Sequence, residues 1–177
     1  HFDAVAKAIS IPIVVYNNPA TAGIDLSPDL IAKLLQIPNI TMVKESTGDV
    51  NRMQRFVQLC GEDVAFYNGS NPLALAAFMA GARGWCTAAA QVIPKLNIEL
   101  FDAVERGDLK SARKSFYRQL PFLQFIVAHG LPRSISAALE LMGTRVGPLR
   151  APLLPLDREK VDELRRILVD LEVLPRA

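Results

Sequence analysis

Met42-Val43-Lys44-Glu45-Ser46-Thr47-Gly48-Asp49 places a lysine at the end of an apolar run, directly before a turn and the start of a helix. α/β proteins gather their reactive groups at the C-terminal ends of their strands. An amine held there without full solvation can attack a carbonyl carbon. Lys44 is therefore the first candidate catalytic residue, and the pattern on either side of it decides what scaffold carries it.

Upstream, Ile11-Pro12-Ile13-Val14-Val15-Tyr16-Asn17 is a β-branched run closed by Asn17-Asn18-Pro19, the signature of a strand running into a loop. The loop passes Gly23 and reaches Ser27-Pro28-Asp29, where Ser27 can cap a helix and Pro28 can take its first position. Leu30, Ile31, Leu34 and Leu35 then share one helical face, Pro38-Asn39 ends the helix, and Ile40 to Lys44 forms the next strand. Downstream, a helix carries Met53, Phe56, Val57 and Cys60. Val64 to Tyr67 reads as a third strand, followed by Asn68-Gly69-Ser70 and a helix from about Pro72 to Ala80. A shorter strand over Gly84 to Ala88 precedes a helix from about Pro94 to Glu105. Beyond Gly107-Asp108 the pattern is helical throughout: about Leu109 to Ala128, Pro132 to Met142 and Asp157 to Leu171, with Gly130 as a residue that ends a helix.

Four strand–helix units with buried-looking strands predict a parallel sheet. Periodicity leaves two scaffolds open, half of an eight-stranded barrel or a small open doubly wound sheet. The open sheet would lack a phosphate loop, since neither G-x-G-x-x-G nor a Walker pattern occurs.

Tyr16 and Lys44 stand 28 positions apart, one strand–helix period, each at the C-terminal end of its strand. Consecutive parallel strands are usually neighbours about 4.8 Å apart. Both side chains should then reach the same end of the sheet. An amine beside a phenol suits Schiff-base chemistry: the amine condenses with a ketone, and the phenol shuttles protons to the carbinolamine and to the developing carbanion. Taken singly, a strand-end lysine is usually solvated and a strand tyrosine usually packs. The matched positions are what make them a candidate pair.

Composition narrows the field. Half of the residues are hydrophobic and 21% are charged, which suits a globular core. The formal charge of +2 is spread without a Lys/Arg run, so nothing points to nucleic acid. No apolar stretch reaches the roughly 18 residues needed to cross a bilayer. Cys60 and Cys86, the only cysteines, lack metal-ligand spacing and are expected as buried thiols of a cytoplasmic protein. The chain opens without methionine and in mid-helix, at Phe2-Asp3-Ala4-Val5-Ala6, and is expected to be a piece of a longer protein.

Tyr16-Asn17-Asn18-Pro19, Gly23 and Lys44-Glu45-Ser46-Thr47-Gly48-Asp49 together resemble the two signatures of the dihydrodipicolinate synthase / N-acetylneuraminate lyase family. Asn68-Gly69, Gly81-Ala82-Arg83-Gly84 and Arg150-Ala151-Pro152-Leu153-Leu154-Pro155-Leu156 follow in the order the family has them, so the resemblance runs along essentially the whole chain. It implies a (β/α)8 (TIM) barrel with a C-terminal helical bundle. Residues 1–108 would supply the second half of the barrel, strands 5–8, and residues 109–177 the helical region. It also implies a class I lyase in which Lys44 forms the imine with a 2-oxo acid and Tyr16 shuttles protons, with no metal or organic cofactor. Gly69 and the main chain around Cys86 would line the pocket. A cytoplasmic homo-oligomer, a tetramer built from dimers, is implied as well.

Two departures from the family pattern stand out, and the first bears on the substrate. The synthase branch carries an arginine two positions before the glycine of the first signature, where it holds the aldehyde's carboxylate. Thr21 stands here instead, and it cannot form a bidentate charged pair. Thr21 suits a hydroxylated partner, such as a keto-deoxy sugar acid or another hydroxy-2-oxo acid. The condensation of pyruvate with aspartate semialdehyde is the alternative. The second departure is Ser136, where the family often has lysine. The carboxylate-binding loop and the second relay tyrosine belong to the first four strands, so the chain alone is expected to be inactive, with two long apolar sheet edges exposed. A rival reading is a half-barrel that binds a partner without catalysis.

The remaining singled-out residues have ordinary readings. Glu45 is expected to be solvated at its strand end, although it could orient the loop. Trp85 is expected in the core, and His129 as a helix-end cation. Glu105-Arg106 and Asp157-Arg158-Glu159-Lys160 read as exposed helix faces.

Overall fold

The apolar β-branched runs form a four-stranded parallel sheet whose spatial order follows the sequence: β1 (Ile13–Asn17), β2 (Ile40–Glu45), β3 (Phe66–Asn68) and β4 (Gly84–Trp85). The structure is a computed structural model and describes residues 1–176. Its packing divides the chain into two compact units, His1–Cys86 and a second one beginning at Thr87.

The first unit holds the sheet together with α1 (Phe2–Ala8), α2 (Pro19–Ala22), α3 (Pro28–Leu34), α4 (Val50–Cys60) and α5 (Ala74–Met79). The helix starts follow local chemistry. Ser27 accepts a hydrogen bond from the Leu30 amide at 3.2 Å with Pro28 behind it, and Asp49 accepts from the Asn51 amide at 2.9 Å. What reads as a plain loop after β1 contains the four-residue turn of helix α2. Pro19 begins that turn, and Gly23, in the left-handed region at φ +70°, ends it.

Register sorts the strand residues onto two faces. Val15, Val43 and Phe66 pair across the sheet and are buried with Ile31 of α3 and Met53 and Phe56 of α4. One step earlier Val14 pairs with Met42, and one step later Tyr16 pairs with Lys44, Lys44 with Tyr67, and Tyr67 with Gly84. This second set occupies the open face, where Tyr16 is 52% exposed. Alternation by two is the physical reason for the split. β1 pairs only with β2, so it forms a long edge. The opposite edge is only the two residues of β4, so one long edge is present where two were expected.

The second unit contains α6 (Pro94–Glu105), α7 (Leu109–Ala128), α8 (Leu131–Leu141) and α9 (Arg158–Asp170). α6 packs along α7 around a buried Gln119, whose amide donates to the Leu96 carbonyl at 3.1 Å and whose oxygen accepts from Asn97 at 2.6 Å. The sequence pattern placed the boundary at residue 108; the packing of α6 with α7 puts that helix in the second unit. Among the described residues, no helix is long and apolar enough to cross a membrane.

Candidate active site

Lys44 and Tyr16 are register partners at the C-terminal ends of β2 and β1, as their spacing predicts. The Lys44 ammonium lies 3.9 Å from the centre of the Tyr16 ring, a cation–π contact. Beneath the lysine stem lies Gly69. A Cβ there would stand 2.9 Å from Lys44 Cε and 1.7 Å from Ser46 Oγ, so only glycine lets the stem and the serine approach this closely. The loop holding Gly69 is set by Asn68, whose side chain accepts from the Ser70 amide at 2.9 Å and donates to the Ser70 carbonyl at 2.8 Å. The Gly69 amide itself donates to the Glu45 carbonyl at 2.7 Å.

The phenol has its own surroundings. Asn18 Nδ2 donates to the Tyr16 oxygen at 3.2 Å and to Thr21 Oγ1 at 3.1 Å, which ties Thr21 of α2 to the phenol through one amide. The buried Ser46 hydroxyl stands close to the phenol without a well-formed hydrogen bond to any group. Partial burial raises the Tyr16 pKa, but Ser46, the nearby Lys44 charge and Asn18 outweigh it, and the phenol is held below the usual tyrosine value.

Directly behind this pair, on the helix-facing side, sits a buried polar layer. Asn17, Glu45 and Asn68 are register partners, and Glu45 is 0% exposed. Glu45 Oε1 accepts from the Thr47 amide at 2.7 Å. Glu45 Oε2 accepts from Asn17 Nδ2 at 3.1 Å and from Arg52 Nε at 3.2 Å. Arg52 reaches on to both oxygens of Asp25 at 2.9 and 3.0 Å. The expectation of a solvated Glu45 is thus overturned, because a charged partner on α4 and an amide on β1 compensate its burial.

Cys86 follows the last paired residue of β4, and its amide donates to the Asn68 carbonyl at 2.9 Å. Its side chain is exposed and that of Cys60 is half-buried, so neither is the buried thiol that was expected. Cys86 lies past the ladder, and Cys60 ends α4 where the helix leaves the core; partial burial still pushes the Cys60 thiol up. Trp85 is half-buried rather than fully in the core. Lys44, Tyr16, Thr21 and Gly69 are therefore joined by contacts, whereas Cys86 adjoins the group only through the main chain of β3. Ser46, Asn18 and Tyr67 escaped notice as site residues. Tyr67 ends an expected strand, as Tyr16 and Lys44 do, and the same reasoning would have found it. Among the described residues no group of acidic, histidine or cysteine side chains is arranged to hold a metal ion.

The fold is thus a parallel strand–helix repeat that pairs an amine and a phenol at its C-terminal strand ends. The Dihydrodipicolinate synthetase family model matches residues 1–171, and the chain belongs to that family. A putative dihydrodipicolinate synthetase of Pseudomonas aeruginosa is similar over 97% of this chain and 59% of its own, at 52% identity and a TM-score of 0.95. The chloride-inhibited dihydrodipicolinate synthase of Acinetobacter baumannii, solved with pyruvate, is 30% identical with a TM-score of 0.92 over 98% of this chain and 60% of its own. The 4-hydroxy-tetrahydrodipicolinate synthase of Archaeoglobus fulgidus is 33% identical over 98% of this chain and 60% of its own length. The chain thus spans about three fifths of the relatives it matches.

Proposed function

We propose that the protein is a class I lyase or synthase that binds pyruvate, or a closely related 2-oxo acid, as an imine on Lys44. The observation that carries this is the register pair Tyr16–Lys44, with the ammonium 3.9 Å from the ring centre. In the neutral form the amine adds to the keto carbon, and the resulting carbinolamine loses water as Tyr16 passes a proton to the departing hydroxyl. Loss of a proton from the adjacent methyl carbon gives an enamine, and the imine nitrogen takes up the electron pair in any bond cleavage at that carbon. No metal or organic cofactor is required for these steps. A homo-oligomer working in the cytoplasm, with β1 to β4 as strands 5–8 of a closed barrel, is part of the same proposal.

For the second substrate, the names of the relatives favour 4-hydroxy-tetrahydrodipicolinate synthesis, the condensation of pyruvate with aspartate semialdehyde. Thr21 supports a second reading. Its hydroxyl already accepts from Asn18, beside the phenol, and offers no positive charge to a carboxylate. A keto-deoxy sugar acid or other hydroxy-2-oxo acid suits that position better.

The test is borohydride reduction in the presence of pyruvate, followed by peptide mapping. An adduct on Lys44 is expected, and its absence in the intact protein would sink the imine reading. Turnover with aspartate semialdehyde against turnover with hydroxylated 2-oxo acids then separates the two substrate readings.

A further inference from the structure

Tyr16 and Lys44 are each followed by a buried polar residue, and those two residues are bonded to each other. Asn17 comes directly after Tyr16 and is 1% exposed; Glu45 comes directly after Lys44 and is 0% exposed. We propose that the Asn17–Glu45 pair is a clamp that positions the phenol against the amine, making Glu45 and Asn17 positioning residues of the imine-forming site.

The geometry supports a role in positioning over simple filling of the core. Strands joined only by ladder bonds can fray at their ends. Asn17 adds a side-chain bond from β1 to β2 at 3.1 Å, at the last register step before the strands part. On the loop side, Glu45 holds the Thr47 amide at 2.7 Å, which fixes Ser46 between the two reactive residues' strand ends and the Gly69 loop. On the helix side, Arg52 of α4 bonds Glu45 and Asp25 together, and the Asn17 oxygen accepts from the Leu26 amide at 3.0 Å. β1, β2 and the loop after β2 are therefore anchored to one carboxylate. Apolar side chains at positions 45 and 52 together would fill the same space, and replacing a buried ion pair in that way is often neutral for stability. What an apolar residue cannot do is bond three elements at fixed angles. A misplacement on the order of 1 Å at a reacting pair can cost about a hundredfold in rate.

The inference rests on the imine reading for its chemistry, but the juxtaposition itself can be measured without turnover. The chain has three tyrosines, Tyr16, Tyr67 and Tyr117, so carbon-13 labelling at the phenol carbon gives three signals, and Tyr16→Phe assigns one of them. In Glu45→Gln, the Tyr16 titration is expected to move toward the free tyrosine value of about 10. The rate of pyruvate trapping on Lys44 is expected to fall about tenfold or more. Asp29→Asn cuts the exposed Arg55–Asp29 ion pair between α3 and α4, which touches neither Asn17, Glu45 nor Arg52, and should change neither readout. The double variant Asn17→Ala/Glu45→Gln should lose less than the sum of the two single variants, since both act on the Asn17–Glu45 contact. Should Glu45→Gln fail to fold, Asn17→Ala supplies the same two readouts with Glu45 still bonded to Arg52 and Thr47. An unchanged Tyr16 titration in a folded clamp variant overturns the proposal, whatever pyruvate does. A wild-type protein that traps no pyruvate overturns the imine reading instead, and leaves the titration to decide the clamp.

Discussion

Tyr16 and Lys44 face each other across adjacent parallel strands, with the lysine ammonium 3.9 Å from the centre of the tyrosine ring. The contact uses the ring face, which leaves the phenol oxygen to Asn18 at 3.2 Å and to the neighbouring Ser46. One side chain thereby meets the amine with its π face and leaves its hydroxyl to the proposed proton transfer.

Replacing Lys44 with methionine keeps an unbranched stem over Gly69 and removes the nucleophile. Borohydride trapping with pyruvate should fall to background, and mass mapping should find no adduct on another lysine. Folding should be little affected, because the lost cation–π contact at this half-exposed pair is worth about 0.5–1 kcal/mol. An adduct that persists elsewhere would move the nucleophile away from β2.

Tyr16→Phe retains the ring and deletes the hydroxyl proposed to carry the proton. Turnover should drop by about 10²- to 10⁴-fold, the usual contribution of a general acid–base group. Trapping on Lys44 should slow but survive, since the amine is untouched. Equal turnover of the variant and the wild type would assign the proton transfer to another group.

Gly69→Ala puts a methyl group 1.7 Å from Ser46 Oγ and 2.9 Å from Lys44 Cε, so the serine or the lysine must move. Overpacking of this kind costs about 1–3 kcal/mol, readable as a lower urea midpoint, and imine trapping should fall with it. Adding Ser46→Gly should restore most of the stability, because it removes the nearer obstacle. Failure of that rescue would mean that the glycine is needed for something other than close approach.

The lowered Tyr16 pKa has a sign that can be checked. Between the folded value and about 10, the unfolded chain binds more protons at this group than the folded chain does, so stability contributed by Tyr16 grows as pH rises through that window. Below the folded value the contribution is gone. The stability difference between wild type and Tyr16→Phe should therefore widen as pH rises through this window, measured by urea unfolding at several pH values. A flat difference would mean that Lys44, Ser46 and Asn18 do not favour the phenolate.

Much of this arrangement was legible from local pattern. The β-branched runs, the Ser27-Pro28 start and the one-period spacing of Tyr16 and Lys44 each have short-range causes, and the structure follows them. Glu45 was misread because the groups that compensate its burial, Asn17 and Arg52, lie on other elements, and only the tertiary fold brings them near. The short β4 has a similar cause. A strand can pair only as far as its neighbour extends, and β3 itself is three residues long. Pro19 and Gly23 did mark the ends of α2, but four residues are too few to show an apolar period. Tyr67 was overlooked although it occupies the same register step as Lys44, and its ring leans over Gly84, where a Cβ would meet it at 2.4 Å.

The two faces of β1 and β2 also limit how this protein can change. The proposed reactive residues and the buried polar residues behind them occupy consecutive positions, 16 with 17 and 44 with 45, and face opposite sides of the sheet. Inserting or deleting one residue upstream in either strand would exchange the two sets, sending an amine or phenol toward the helix-covered face and a carboxylate or amide onto the open one. Loops after the strands can lengthen and substrates can diverge, but the strands themselves tolerate only changes that preserve parity.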